Sequence, residues 1–112
     1  MEIKIKNKKQ PLSFGVKFVR ELDKIAGLER ENISLGMGLT KTLPGLDVFD
    51  PAVLSDIIYC ATFGNSPRPG RNDVDDYIDG LEVGELEALF ADVKKEVNEA
   101  NAIKAAIKNR KA

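Results

Sequence analysis

Histidine and tryptophan are absent from this chain of 112 residues, cysteine occurs once, and aromatic residues make up only 6%. Without histidine there is no Ser-His-Asp or Cys-His arrangement, and no zinc site built on imidazole. The single thiol, Cys60, has no partner for an internal disulfide, which fits a reducing compartment. It shares a face with Val53 and Ile57 and is expected to be an inert, buried thiol packed as a small hydrophobe. No apolar run approaches the ~18 residues that a membrane-spanning helix needs. The first six residues, Met1-Glu2-Ile3-Lys4-Ile5-Lys6, alternate apolar with charged and lack the continuous apolar block of a secretory signal. The expected location is the cytoplasm, with no membrane partner.

What is present is 43% hydrophobic and 31% charged, enough apolar material for one core and more charge than average. That balance favours a helical protein with solvated faces. The formal net charge of −1 conceals segregation. Lys4, Lys6, Lys8, Lys9, Lys17 and Arg20 meet no acid after Glu2 until Glu21. From Asn72 to Asp92 every charge is acidic, and from Lys94 onward bases outnumber acids. Such separation predicts complementary contacts, within the fold or with a partner of opposite sign.

Period-two alternation predicts a strand over Glu2–Lys6, a turn at Asn7-Lys8-Lys9, and a returning strand over Gln10–Phe14 confined to an edge by Pro11. Helical spacing then begins. Phe14, Phe18, Leu22 and Ile25 predict a helix from Gly15 to Ala26 with Ser13 as N-cap and Gly27 as C-cap. A polar loop is expected over Glu29–Asn32. Leu35, Leu39, Leu43 and Leu46 form a second stripe, ended or bent at Pro44, in which Gly36 and Gly38 leave room for another backbone. Asp50-Pro51 starts a third helix, to about Phe63, as an acidic cap followed by proline at the first helical position. Residues 64–70 are a loop, and Asn72 is expected to cap a short helix ending at Gly80. A last helix begins near Gly84 and is expected to run almost to residue 112, with Leu86, Val93, Ala100 and Ile107 seven apart. The fold class is therefore α+β and mostly α: an N-terminal β-hairpin followed by a four- to five-helix bundle. Residues 1–93 are read as one globular domain, and 94–112 as a basic, helical and mobile extension.

Candidate chemistry is sparse. Asp73, Asp75, Asp76 and Asp79 suggest a cation loop, but an EF-hand register places Tyr77, Ile78 and Gly84 where an oxygen ligand, a glycine and a closing glutamate are required. Aspartates at a helix start need no metal to explain them. Gly36-Met37-Gly38 is not followed by the Gly-Lys-Ser/Thr of a phosphate loop. The basic end lacks the interleaved aromatics of a nucleic-acid surface. No catalytic residue, metal ligand or cofactor is expected, and the composition points to a binding module rather than an enzyme.

Five segments in order carry a resemblance: Met1–Ile5, Phe14–Asp23, Leu35–Leu39, Phe49–Leu54 and Val74–Ile78. Together they resemble the tail assembly chaperones of long-tailed phages and prophages of Gram-positive bacteria, over Met1 to about Val93. The resemblance implies a cytoplasmic, non-structural protein of virion assembly. It would bind the tape measure protein, keep it soluble and help recruit tail tube subunits, with no catalytic residues. Such chaperones are often made in two lengths, the longer by ribosomal frameshifting. The apolar stripe of the last helix, Leu86, Leu89, Phe90, Val93, Val97, Ile103 and Ile107, is the candidate partner-binding surface, with completion of the core or a homo-oligomer contact as the alternative use. The competing function, a small phage DNA-binding regulator, would need a basic recognition helix, and neither the Pro51 nor the Asn72 helix is basic.

Overall fold

A computed structural model describes residues 1–26, 29–30, 33–34, 37–101 and 103–105. The chain opens with an antiparallel hairpin, β1 (Glu2–Ile5) and β2 (Lys8–Pro11), in which Ile5 faces Lys8 and Glu2 faces Pro11. Its turn is Lys6-Asn7, both at positive φ (51° and 63°). Two such residues match the twist of the flanking strands, and asparagine tolerates the left-handed region. The turn is therefore one residue earlier and tighter than alternation predicts, and Lys8 and Lys9 belong to β2. The Leu12 N–H still donates to the Met1 carbonyl at 2.9 Å, and the chain then leaves the ladder. Leu12 and Phe14 are buried, and the Ser13 N–H donates to the Ala61 carbonyl at 3.0 Å.

Helix α1 (Val16–Ala26) starts at Gly15, whose carbonyl accepts from the Val19 N–H at 3.2 Å, so Ser13 is not its cap. Phe18 and Leu22 are fully buried. A second short ladder, β3 (Glu29–Arg30) with β4 (Ile33–Ser34), begins within the expected polar loop and ends just beyond it. Two-residue strands are too short to leave an alternation in the sequence. Gly27, Leu35 and Gly36 lie outside the described residues.

Helix α2 (Met37–Asp47) passes through Pro44 and ends three residues later. A proline this near the end forfeits one rung of the ladder without stopping the helix. Gly38 has a definite reason. Its N–H donates to Asp23 Oδ1 at 2.8 Å, and a Cβ there would stand 2.7 Å from the Leu22 carbonyl oxygen. Only glycine allows α2 to lie this close on α1.

Helix α3 (Pro51–Ala61) begins as expected: Asp50 Oδ1 accepts from the Ala52 and Val53 N–H groups at 3.0 and 3.3 Å. It is the central helix, with Leu54, Ile57 and Ile58 fully buried. Helix α4 (Arg71–Asp79) is capped by Gly70 rather than Asn72, and the Gly70 N–H donates to Asp73 Oδ2 at 2.9 Å. Helix α5 (Val83–Glu99) crosses Lys94 without interruption. At Ala100 the backbone turns extended (ψ 129°), and a new helical turn follows, with the Lys104 N–H on the Ala100 carbonyl at 2.9 Å. The expected single long helix is thus broken. Ten residues of straight helix would carry Ile103 about 80° round from Val93. The break turns it inward, and Ile103 is fully buried with Val93 and Val97.

The loop between α3 and α4 is held by polar contacts. Arg68 stacks 4.0 Å from the Tyr59 ring, and its Nη2 and Nε donate to the Tyr59 carbonyl (2.9 Å) and Thr62 Oγ1 (3.3 Å). Its Nη1 reaches Glu21 on α1 at 3.1 Å. Asn65 Nδ2 donates to Gln10 Oε1 at 2.8 Å and ties the loop to β2. Part of the segregated charge closes on itself: Lys6 in the hairpin turn pairs with Asp73 at 2.6 Å.

Candidate functional site

The connection from α2 to α3 is short and strongly determined. The Asp50 N–H returns to the Gly45 carbonyl at 2.9 Å while the Asp50 side chain caps α3. A Cβ on Gly45 would lie 2.7 Å from Val53 Cγ2, so the two helices close tightly over that glycine. Within this turn Phe49 adopts φ 57°, a left-handed conformation that costs a bulky residue about 1–2 kcal/mol. The residue nevertheless remains 56% exposed. It meets Phe90 of α5 edge-on, with centroids 5.2 Å apart and planes at 74°.

Alongside Phe49 runs one edge of α5. The Glu82 N–H donates to Glu85 Oε1 at 2.9 Å and starts the helix at Val83, one residue before the sequence suggested. Val83, Leu86 and Phe90 then fall three and four residues apart on the same edge. Phe49, Val83, Leu86, Glu87 and Phe90 enclose an open groove of about 430 Å³. On the other side of Phe49 a second hollow of about 240 Å³ is bordered by Leu46, Asp47, Glu87, Phe90, Ala91 and Lys94. Phe49 is thus a ridge between two hollows. Lys94 reaches across the second to Asp47 at 2.5 Å, while Glu87, on the rim of both, has no ion-pair partner among the described residues. Val83 is 73% exposed, so this apolar edge is open to water.

The candidate stripe therefore divides. Leu86 is half-buried and lines the groove, and the Phe90 ring forms part of its wall. Leu89, Val93, Val97 and Ile103 are buried in the core, and Ile107 lies outside the described residues. Sequence reasoning missed Phe49 and Val83. Val83 was recoverable, being seven residues before Phe90 in the same stripe. Phe49 was not, because no periodicity marks one aromatic residue in a turn.

The other chemistry-bearing residues are engaged. Cys60 lies on the buried face of α3, and burial pushes its thiol up to about 12. Asp73 is taken up by Lys6 and the Gly70 N–H. Among the described residues no group of three or more acidic, cysteine or histidine side chains could hold a metal ion. Nor is any described helix long and apolar enough to cross a membrane.

A small helical scaffold presenting a solvent-open, acid-rimmed apolar groove is the architecture of a binding protein. The family model described as phage tail assembly chaperone protein matches residues 2–111, nearly the whole chain. The chain belongs to that family and is a chaperone rather than an enzyme. Comparison with curated proteins and with solved structures returns no match.

Proposed function

We propose that the groove between Phe49 and α5 receives apolar helical segments of the tape measure protein of a phage or prophage of Gram-positive bacteria. The chain thereby keeps that protein soluble in the host cytoplasm and assists assembly of the tail tube around it. The observation that carries this reading is Phe49: an aromatic ring held exposed, on a strained backbone, above an apolar hollow. Strain at a site that leaves apolar surface wet is retained for binding rather than for stability.

A tape measure segment has an apolar stripe that stays unburied until the tube surrounds it. Helix-in-groove recognition covers such a stripe with a few anchors one turn apart, and Val83, Leu86, Phe90 and Phe49 offer the receiving surface. Many copies, each weakly bound, hold a long client through multivalency and are displaced one by one as tube subunits arrive. Leu89, Val93, Val97 and Ile103 support this surface from beneath by fixing α5 on the core.

Co-expression with the tape measure protein tests the reading. The wild-type chain should carry the client into the soluble fraction, and a Val83→Asp/Leu86→Asp variant that remains folded should not. Equal client solubility with and without the wild-type chain would end the chaperone mechanism. Equal rescue by both chains would move the site elsewhere.

A further inference from the structure

The two edges of the amino-terminal hairpin are finished differently. Ile5 faces Lys8 across a two-residue turn, Ile3 faces Gln10, and the Leu12 N–H bonds the Met1 carbonyl at 2.9 Å. A two-residue turn closes on a bonded pair, so the odd-numbered residues of β1 engage their N–H and C=O groups inside the hairpin. Pro11 fits this phase, because it stands opposite Glu2, where no N–H is required. The peptide groups of Glu2 and Lys4 therefore point outward on one edge, and those of Lys9 and Pro11 on the other.

The β2 edge is shut. Pro11 has no N–H, its carbonyl accepts from Asn65 Nδ2 at 3.0 Å, and residues 64–67 lie alongside it. The β1 edge is open: no described residue bonds the outward N–H and C=O groups of Glu2 and Lys4. An open edge is a template for another strand, and a lysine on it turns away strands that bring a base of their own. Lys4 already faces one base across the hairpin, Lys9. The strand that fits must bring an acid opposite Lys4 and a base opposite Glu2, with its free peptide groups in the same phase. β1 is itself such a strand.

We infer that β1 of one copy pairs antiparallel with β1 of a second copy about a two-fold axis at Ile3, joining the two hairpins into one four-stranded sheet. Glu2 then lies opposite Lys4 of the second copy, and Lys4 opposite its Glu2. Both pairs fall at bonded positions, so hydrogen bonding and charge are matched by the same register. Ile3 meets Ile3 of the second copy, and both stay on the core side of the sheet. A slip of two residues either way sets Glu2 opposite Glu2 or Lys4 opposite Lys4. An isologous contact of this kind closes at two copies. It is short and charge-assisted, hence weak and sensitive to salt. The contact does not depend on the client reading of the groove; where that reading holds, each dimer offers two grooves to one long client.

Sedimentation velocity across a concentration series, on a chain with nothing added ahead of Met1, supplies the test. Wild type should pass from monomer to dimer at low salt and go no further. Glu2→Lys and Lys4→Glu each set like charges against one another at both pairs, so each should weaken the dimer about tenfold or more. Their urea midpoints should stay close to wild type, because both side chains are exposed and make no ion pair among the described residues. Mixed in equal amounts, the two variants match every charge again and should form a heterodimer as tight as the wild-type dimer. Amide exchange gives a second reading: the Lys4 N–H should gain protection as concentration rises, and the Lys9 N–H should not. A wild type that stays monomeric, single variants that associate as wild type does, or a mixture that stays monomeric would overturn the inference. So would protection that grows with concentration at Lys9 or along the Val83–Phe90 edge while Lys4 is unchanged, which would put the contact on β2 or in the groove.

Discussion

The two ends of α3 show opposite uses of the same materials. At its C-terminal end an aromatic ring, a cation and an acid close on one another: Arg68 covers Tyr59, bonds two backbone-proximal oxygens and pairs with Glu21. No buried polar side-chain atom lacks a partner among the described residues. At its N-terminal end Phe49 is held in a disfavoured conformation and stays exposed, with Val83 beside it in the groove lining and Glu87 unpaired among the described residues. The first region satisfies its groups internally. The second leaves apolar surface open while the turn around it is firmly made. A pocket needed only for folding would have closed on itself. Mutations should therefore separate the two ends, stability falling at one and binding at the other.

The largest loss of stability should come from the core common to both. Leu54 is fully buried on α3, and Leu54→Ala should cost about 2–5 kcal/mol through lost transfer energy and the cavity left behind. Denaturant unfolding measures it, and a loss under 1 kcal/mol would mean that α3 is not the central element. Next stands the closed end. Arg68→Ala removes charge-assisted hydrogen bonds from a half-buried position and leaves Glu21 with only Lys24, so about 2 kcal/mol should be lost. Client binding by the folded fraction should be unaffected.

The open end should behave in reverse. Phe49→Gly relieves about 1–2 kcal/mol of left-handed strain while giving up an aromatic pair worth about 0.5–1.5 kcal/mol. Stability should stay within about 1 kcal/mol of wild type, and the soluble yield of co-expressed tape measure protein should fall. If instead Phe49→Gly unfolds the chain and Arg68→Ala abolishes client binding, the assignment of the two ends is inverted.

The closed parts of the molecule were largely legible in the sequence. Asp50-Pro51 marked the start of α3, the stripe through Phe18 and Leu22 marked α1, and Gly38 announced a close approach that the Leu22 carbonyl now explains. These are local rules of capping, periodicity and steric room. What escaped depends on tertiary placement. The break at Ala100 has no local signal; it follows from where Ile103 must go to reach the core. The β3–β4 ladder is too short to alternate. The groove needed two segments that the sequence separates by more than thirty residues, and half of it, Phe49, sits where no period applies. Of the candidate stripe, Leu86, Leu89, Phe90, Val93 and Val97 lie on α5, Ile103 follows the break at Ala100, and Ile107 lies outside the described residues. The stripe's division into residues facing the core and residues bordering the groove required knowing what α5 packs against.

The smallest effect concerns pH and sharpens the account of the charge segregation. Lys6 and Asp73 join the hairpin turn to α4 at 2.6 Å. The hydrogen bond from Lys6, and then that from the Gly70 N–H, hold the Asp73 carboxyl below its ordinary value, and Asp73 in turn holds Lys6 above its own. A carboxylate lowered on folding contributes stability above its unfolded pKa and loses it as pH falls through the folded value. A lysine raised on folding contributes below its unfolded pKa and loses it as pH rises through the folded value. The pair therefore acts between about pH 4 and pH 10 and fades at either end. Glu21 adds to the acid side: burial alone would raise it, but Lys24 and Arg68 together hold it below its ordinary value. Asp56 opposes them. Burial raises its carboxyl despite Arg71, so its contribution improves as pH falls. Urea midpoints at pH 7 and pH 3 should converge slightly in Asp73→Asn and more in Glu21→Gln, whose carboxylate is the less exposed beside its Arg68 partner. At 0.5 M salt the Asp73 effect should shrink further, because its partner Lys6 stands in open water. Asp73→Asn with an unchanged acid limb at low salt would show that the hairpin and α4 are joined by packing alone, and that the basic amino-terminal strands are free to meet another partner.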